Sequence, residues 1–250
     1  MNRNVIIKKE NNNQDFDLIT VSDPSSVASE NYRRIKVSLE FTNLDKKKQV
    51  IQITSANQGE AKTTTLLNLA YTYVEDKKKV IVINMDFKRP KIHHYFGVPN
   101  KNGLSDYLAG SITKDKVIQH SDKYNMDFIV RGSEVPYSTS LLSSKLLETF
   151  IKDLRKDYDY IFIDCPPVLL SDTVVISRIT DGTIFVVSQV ISTKDSTKNA
   201  VKYLRENNVN ILGCVFTSVN EKSSNYSKYY RYKYCNYYGD SNSKDDKKVD

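Results

Sequence analysis

Lys62 and Thr63 stand where an apolar strand gives way to a helix, and residues of those two types at such a junction can hold phosphate. Val50-Ile-Gln-Ile-Thr54 is a β-branched run that predicts a strand. A polar loop containing Gly59 and Glu60 follows. Then come Ala61-Lys62-Thr63-Thr64 and the apolar-periodic Leu66, Leu67, Leu69 and Ala70 of a helix. In a strand, loop and helix of this order, the backbone N–H groups of the loop and of the first helical turn point at phosphate oxygens. Lys62 would reach the β/γ-phosphates, and the Thr63 hydroxyl would sit on Mg²⁺. The usual pattern has Gly immediately before the Lys, where Ala61 stands here. A Cβ at that point is a cost if the backbone needs a positive φ. Taken alone, the stretch also fits an ordinary strand–turn–helix with a surface lysine.

Two strand ends downstream weigh against that plain reading. Val80 to Asp86 is a continuous apolar run that closes in Asn84-Met85-Asp86-Phe87-Lys88-Arg89-Pro90. Such runs mark strands buried on both faces of a parallel sheet, and ligands bind at the C-terminal edge of these sheets. Tyr160-Ile-Phe-Ile-Asp164-Cys-Pro-Pro167 has the Walker B form, in which Asp164 holds Mg²⁺ directly or through water. Lys62, Thr63, Asp86 and Asp164 would thus converge on one edge of one sheet.

The remaining elements must place those ends. Met126 to Arg131, Gly182 to Val187 and Asn210 to Thr217 read as further strands. Helices are expected at about 23–41, 63–75, 139–156 and 195–207. On the first, Val27, Ile35 and Leu39 share a side. On the third, Leu142, Leu146, Phe150 and Leu154 form the core stripe. Strands alternating with helices predict an α/β fold, a mostly parallel sheet with helices on both faces. Residues 1–22 read as a flexible arm, 23–220 as the catalytic domain and 221–250 as a disordered tyrosine-rich tail. Residues 91–125 read as irregular. His93-His94 there has no cysteine or carboxylate at zinc spacing, which favours a surface loop over a metal site.

The tail departs from the rest in composition. Tyr226, Tyr229, Tyr230, Tyr232, Tyr234, Tyr237 and Tyr238 are seven of the chain's 17 tyrosines, in a stretch without Leu, Ile or Val that cannot build a core. It is either a partner-binding low-complexity segment or a cluster of phosphate acceptors. Each phosphorylation would replace a neutral hydroxyl with close to two negative charges.

The net charge of +7 is carried largely by short lysine runs such as 46–48 and 77–79. These read as solvated turns, and no basic helix points to nucleic acid. Cys165, Cys214 and Cys235 are odd in number and far apart, which suits reduced thiols in the cytosol. Met1 to Lys9 lacks the apolar core of a signal peptide, and no run approaches the length of a membrane span.

The order of phosphate loop, Asn84–Pro90 stretch (Walker A′), Ile163–Pro167 stretch (Walker B) and tyrosine tail resembles the bacterial tyrosine kinases of capsular and exopolysaccharide biosynthesis, in their stand-alone cytosolic form. The similarity runs from about Asp23 to Tyr238. The resemblance implies a P-loop NTPase-type sheet, ATP and Mg²⁺ as cofactors, and autophosphorylation of the tail between subunits. It implies a ring-shaped homo-oligomer, a membrane-bound polysaccharide co-polymerase that recruits the chain to the inner face of the membrane and activates it, and a cognate tyrosine phosphatase. Gly59, Glu60, Ala61, Lys62, Thr63, Thr64 and Thr217 would contact ATP. Thr63, Asp86 and Asp164 would serve the metal, and Lys62, Asp86, Asp164 and Asn84 the chemistry. Glu30, Arg33 and Lys36, otherwise a solvated charged face, resemble the family's Glu-x-x-Arg-x-x-Arg oligomer-interface motif with Lys as the last residue; Lys lacks the bidentate geometry of Arg.

Three other positions depart from the pattern. Ala61 replaces Gly, Asn84 replaces an Asp thought to act as base or to support the metal shell, and Thr217 replaces an Asn beside the nucleotide base. Asn84 positions a hydroxyl or water but takes no proton, which leaves a weakened pseudokinase as the rival reading. A ParA/MinD-type ATPase fits less well, because Asn57 occupies that group's signature Lys slot and the chain ends in tyrosines rather than a membrane helix. A Rossmann enzyme is excluded by the lack of Gly-x-Gly-x-x-Gly after a strand.

Overall fold

The apolar runs form the middle of one sheet. The computed structural model describes residues 16–42 and 47–219. Its strands are β1 (Val50–Ser55), β2 (Val80–Asn84), β3 (Gln119–Ser121), β4 (Met126–Ile129), β5 (Tyr160–Asp164), β6 (Gly182–Ser188) and β7 (Ile211–Thr217). The helices are α1 (Ile19–Ser22), α2 (Val27–Phe41), α3 (Lys62–Glu75), α4 (Ile92–Tyr95), α5 (Leu104–Leu108), α6 (Lys114–Val117), α7 (Ser138–Leu142), α8 (Lys145–Asp157), α9 (Asp172–Ser177) and α10 (Lys194–Glu206).

The strand order is β3-β4-β2-β5-β1-β6-β7, and every pairing is parallel except β3 with β4. Alternate residues divide between the two faces. Ile51, Ile53, Val82 and Phe162 pack with Leu66, Leu69 and Leu39 of α3 and α2. Val50, Ile81, Ile83, Ile161 and Ile163 pack with Leu147, Phe150 and Leu154 of α8. With both faces covered, the central strands are buried throughout and mostly apolar, as their sequences predict. The expected α/β fold is therefore observed. Its parallel strands point their C-terminal ends, with the loops after β1, β2, β5 and β6, to one edge.

Several local expectations need correction. The arm does not extend to residue 22. Leu18 and Thr20 are fully buried, and Thr20 donates from both its N–H and its hydroxyl to Asn68 Oδ1 on α3, at 3.1 and 3.0 Å. Asp17 accepts from the Tyr124 hydroxyl at 3.1 Å. The polar composition of 1–22 hid these anchors, because one buried leucine and one buried threonine make no periodic pattern. α2 begins at Val27 behind Ser26, whose hydroxyl accepts from the Ser29 N–H at 3.2 Å, so Pro24 lies outside it. Val27 is 52% exposed.

The expected helix 139–156 is two helices. Ser144 caps α8 by accepting from the Leu147 N–H. That break shifts the face, so Leu147 is buried while Leu146 is 43% exposed. The stretch 91–125 holds α4, α5, α6 and the antiparallel β3.

Candidate functional site

The loop after β1 is shaped by backbone conformation and by one buried acid. Gly59 and Ala61 both have positive φ, 82° and 63°. Ala61 is left-handed (ψ 31°) immediately before the first helical residue, Lys62, so the cost expected of its Cβ is real. Glu60 is fully buried. Its carboxylate accepts from Asn57 N–H and Asn57 Nδ2, both at 3.0 Å, and makes a short hydrogen bond with the Ser192 hydroxyl. Asn57 Nδ2 also donates to the Ser196 hydroxyl at 3.1 Å. Thr217 at the end of β7 donates its hydroxyl to the Glu60 carbonyl at 3.1 Å. The loop is thus braced from β6, α10 and β7, and Ile191 lies within contact range of a Cβ built on Gly59.

Lys62 and Thr63 are buried on the first turn of α3. Thr63 Oγ1 donates to Asp164 Oδ2 at 2.6 Å, so the loop and the Walker B strand end already touch. Thr64 Oγ1 shares a 2.7 Å hydrogen bond with the Tyr95 hydroxyl, with either atom as donor. Asp164 is almost wholly buried, and desolvation pushes its carboxyl up to about 7. The Thr63 hydrogen bond and the Lys62 cation pull the other way, and the Asp86 charge adds to the rise.

Asn84 lies opposite Asp164 in the parallel register of β2 and β5. It is fully buried, and neither its Oδ1 nor its Nδ2 has a partner among the described residues; Asp164 Oδ1 has none either. Orphaned buried polar atoms cost about 1–3 kcal/mol each, so three of them at adjoining strand ends mark a place built to receive polar ligands. Asp86 is buried as well, but its Oδ1 accepts from the Lys88 and Arg89 N–H groups at 3.2 and 2.9 Å, which folds the turn after β2. Arg131, just after β4, donates to the Phe87 carbonyl at 3.2 Å and holds that turn from the side.

The structure therefore gathers Gly59, Glu60, Ala61, Lys62, Thr63, Thr64, Asn84, Asp86, Asp164 and Thr217 at one sheet edge. A left-handed loop feeding a helix N-terminus, a buried lysine, and a threonine hydroxyl beside an unsatisfied carboxylate are the donor set that a nucleotide's phosphates and Mg²⁺ require. These residues fit both groups. Ser192, Ser196, Tyr95 and Arg131 were not singled out from the sequence. For Ser192 the available signal was its position just past a strand ending at the same edge. Tyr95 and Arg131 carried none.

The charged triplet on α2, expected at an oligomer interface, makes contacts within the protomer. Arg33 Nε and Nη2 reach Glu75 at 3.1 and 2.8 Å, and Lys36 Nζ reaches Asp76 Oδ2 at 2.6 Å and the Thr72 carbonyl at 3.3 Å. Glu30 lies 3.8 Å from Arg33. Lys36 is only 8% exposed. Within the protomer these side chains tie α2 to the end of α3. The seven tail tyrosines, Tyr226 to Tyr238, lie outside the described residues.

Residues 48–209 match the AAA domain family. The chain is 30% identical to tyrosine-protein kinase YwqD of Bacillus subtilis, over 85% of this chain and 89% of the relative. It is 33% identical to a putative tyrosine-protein kinase in the cps region of Klebsiella pneumoniae, over 89% of this chain but 31% of that longer protein. The solved kinase domain of Escherichia coli tyrosine kinase ETK superposes with a TM-score of 0.79 at 30% identity, covering 83% and 82% of the two chains. The septum site-determining protein MinD of Pyrococcus horikoshii, solved with Mg-ADP, superposes at 0.57 and 26% identity, over 68% and 70%.

Proposed function

This chain belongs to the bacterial tyrosine kinases, and from that premise we propose that it is an ATP-dependent protein-tyrosine kinase that phosphorylates its own tail tyrosines and regulates capsular or exopolysaccharide synthesis. One observation carries the reading. The Lys62–Thr63 turn, Asp164 and the partnerless Asn84 meet at a single strand-end cluster in a chain whose relatives bear the kinase name. The Mg-ADP bound to the related MinD supports nucleotide and magnesium here.

The residues divide the work. Backbone N–H groups of the 57–63 loop would hold the phosphates, and the Lys62 cation would follow the charge that develops on the transferred group. Thr63 and Asp164 would hold Mg²⁺, and Asp86, whose charge acts on Asp164, would serve the same ion. When bound, Mg²⁺ supplies charge neutralisation at the transferring phosphate. Burial of Asp164 excludes water and sharpens these interactions. Asn84 would orient the acceptor hydroxyl or a water by hydrogen bonding. It takes no proton, and loss of a general base typically costs about 10²–10⁴ in rate. The loose transition state of phosphoryl transfer places most of the catalytic demand on positioning, which Asn84 can still meet.

Among the described residues no helix is long and apolar enough to cross a membrane. Recruitment to the inner membrane face by a polysaccharide co-polymerase, assembly into a ring through Glu30 and Arg33, and reversal by a tyrosine phosphatase complete the proposal. Lys36, already buried against Asp76, contributes to such a ring through the seating of α2.

The test is intact-mass spectrometry of the purified chain with Mg-ATP, with and without the cytosolic segment of the membrane partner, beside Asn84→Asp. A phosphate ladder on the native chain that maps to Tyr226–Tyr238 is the expected result. A ladder on Asn84→Asp alone would identify the natural chain as an acceptor for another enzyme and overturn the kinase proposal.

A further inference from the structure

Two neighbouring threonines on the first turn of α3 are held by different partners. Thr63 donates to Asp164, whereas the Thr64 hydroxyl shares its 2.7 Å hydrogen bond with the Tyr95 hydroxyl. Tyr95 stands on α4, the first element after the turn that Asp86 folds. Its ring is fixed in turn. Phe16 meets it edge-on at 5.2 Å between ring centroids and stacks on the adjoining His94 at 5.1 Å. The same N-terminal segment reaches Thr64 by a second route. Thr20 donates twice to Asn68 Oδ1, and Asn68 Nδ2 donates to the Thr64 carbonyl at 2.9 Å. Leu18, between Phe16 and Thr20, is fully buried in the core that holds Leu66 and Leu69. Thr64 is therefore tied at its hydroxyl through Tyr95 and at its carbonyl through Asn68.

A helical threonine ordinarily divides between two χ1 rotamers, and the bond to Tyr95 selects one of them. The chemistry of the pair also matters. Burial raises the Tyr95 phenol above its usual range; the Thr64 hydrogen bond opposes that rise and the Asp164 charge adds to it. Tyr95 thus keeps its proton at neutral pH. Two hydroxyls that share one hydrogen bond use one proton between them and leave the other for a further acceptor. A phenol is the stronger donor of the two, so the proton left over belongs to Thr64. That residue lies on the turn whose N–H groups face phosphate in a strand–loop–helix of this kind.

We propose that Tyr95 is a positioning residue of the nucleotide site, donating to Thr64 so that the Thr64 hydroxyl offers its own proton to a phosphate oxygen. Phe16 holds the Tyr95 ring, and Asn68 holds the turn on which Thr64 rides. This rests on the nucleotide reading of the strand-end cluster and not on phosphoryl transfer.

The test is calorimetric titration of Mg-ADP, which carries no transferable γ-phosphate, into the full-length chain. Parent, Tyr95→Phe, Thr64→Val and the double variant are compared. Tyr95→Phe keeps the ring that packs on Phe16 and removes only the hydroxyl. It should weaken binding about 3–10-fold with the stoichiometry unchanged. Thr64→Val should weaken binding at least as much, and the double variant no more than Thr64→Val alone, because Tyr95 acts only through that hydroxyl. Equal affinity in the parent and Tyr95→Phe overturns the proposal. So does a lower stoichiometry at unchanged affinity, which identifies a purely structural role in keeping the chain folded. Additive losses in the double variant overturn it as well, since Tyr95 would then act apart from Thr64. A parent that takes no Mg-ADP overturns this proposal and the nucleotide reading together, whereas the other failures leave that reading and the phosphate ladder standing.

Discussion

Asp181 and Asp164 are buried or half-buried carboxylates at opposite edges of the same sheet, and they are treated in opposite ways. Asp181 stands just before β6. Its Oδ2 accepts from the Gln49 and Val50 N–H groups and from Arg155, each at 2.8 Å, and its Oδ1 accepts from Arg155 at 2.9 Å. Burial alone would raise its pKa, but the Arg155 hydrogen bond and the two backbone donors outweigh that and hold the carboxyl below the usual range. Asp164 closes β5. One threonine hydroxyl satisfies one of its oxygens, the other has no partner among the described residues, and burial carries it up to about 7. The N-terminal edge is closed for stability. The C-terminal edge is left open to a ligand, at a cost to the unliganded fold.

The largest effect should come from removing the cation that serves the open edge. Lys62→Met should lower Mg-ATP-dependent tyrosine phosphorylation about 10³-fold or more, measured as phosphate incorporated into the purified chain. Retained incorporation would remove Lys62 from the site.

Asp164→Asn tests the cost directly. A carboxyl whose pKa is raised on folding contributes stability below its unfolded value near 4, and that contribution is lost as pH rises through about 7. The nucleotide-free parent should therefore lose stability between those pH values. Asp164→Asn should abolish that slope and be the more stable chain at pH 8, by at most about 4 kcal/mol in urea unfolding. A parent curve that is flat from pH 4 to 8 would contradict the comparison.

Asp181→Ala should act in the reverse sense and destabilise by about 1–3 kcal/mol at neutral pH, because Arg155 and two backbone donors lose their acceptor. The lowered pKa of Asp181 gives stability present above its unfolded value and lost as pH falls below it. The difference between parent and variant should shrink toward acid, and a constant difference down to pH 2 would speak against it.

The smallest effect belongs to Ala61→Gly. Removing the Cβ from a left-handed residue should stabilise the chain by about 1 kcal/mol in the same unfolding assay, since Gly adopts φ 63° without strain. A loss of stability would mean that the Ala61 methyl is held by contacts worth more than its strain.

Much of the fold was legible because burial on both faces of a parallel sheet writes itself as apolar runs. Val80–Asn84 and Tyr160–Asp164 could be read to within two residues for that reason. Leu146 was misplaced because a 3.6-residue period was carried through Ser143-Ser144, where a cap restarts the helix one position later. Leu18 and Thr20 were missed because their burial comes from partners distant in the chain, and two isolated positions leave no periodic trace. The same holds for the site. Lys62, Thr63, Asp86 and Asp164 sit at or just after strand ends that can be counted, whereas Tyr95 reaches it from the short helix α4 and Arg131 from the loop after β4, whose paths only packing defines.

The residue types and their order along the chain thus determined the parallel sheet, the phosphate loop and the kinase resemblance, since each rests on local pattern and on which side chains can carry charge or phosphate. Tertiary structure alone decided that Ala61 is left-handed, that Asn84 and Asp164 have no partner for three of their side-chain atoms among the described residues, and that Lys36 meets Asp76 within its own protomer. Those are outcomes of three-dimensional neighbours. A hydrogen bond from Thr63 to a residue 101 positions away depends on how the strands are ordered in space, and no window of sequence contains that distance.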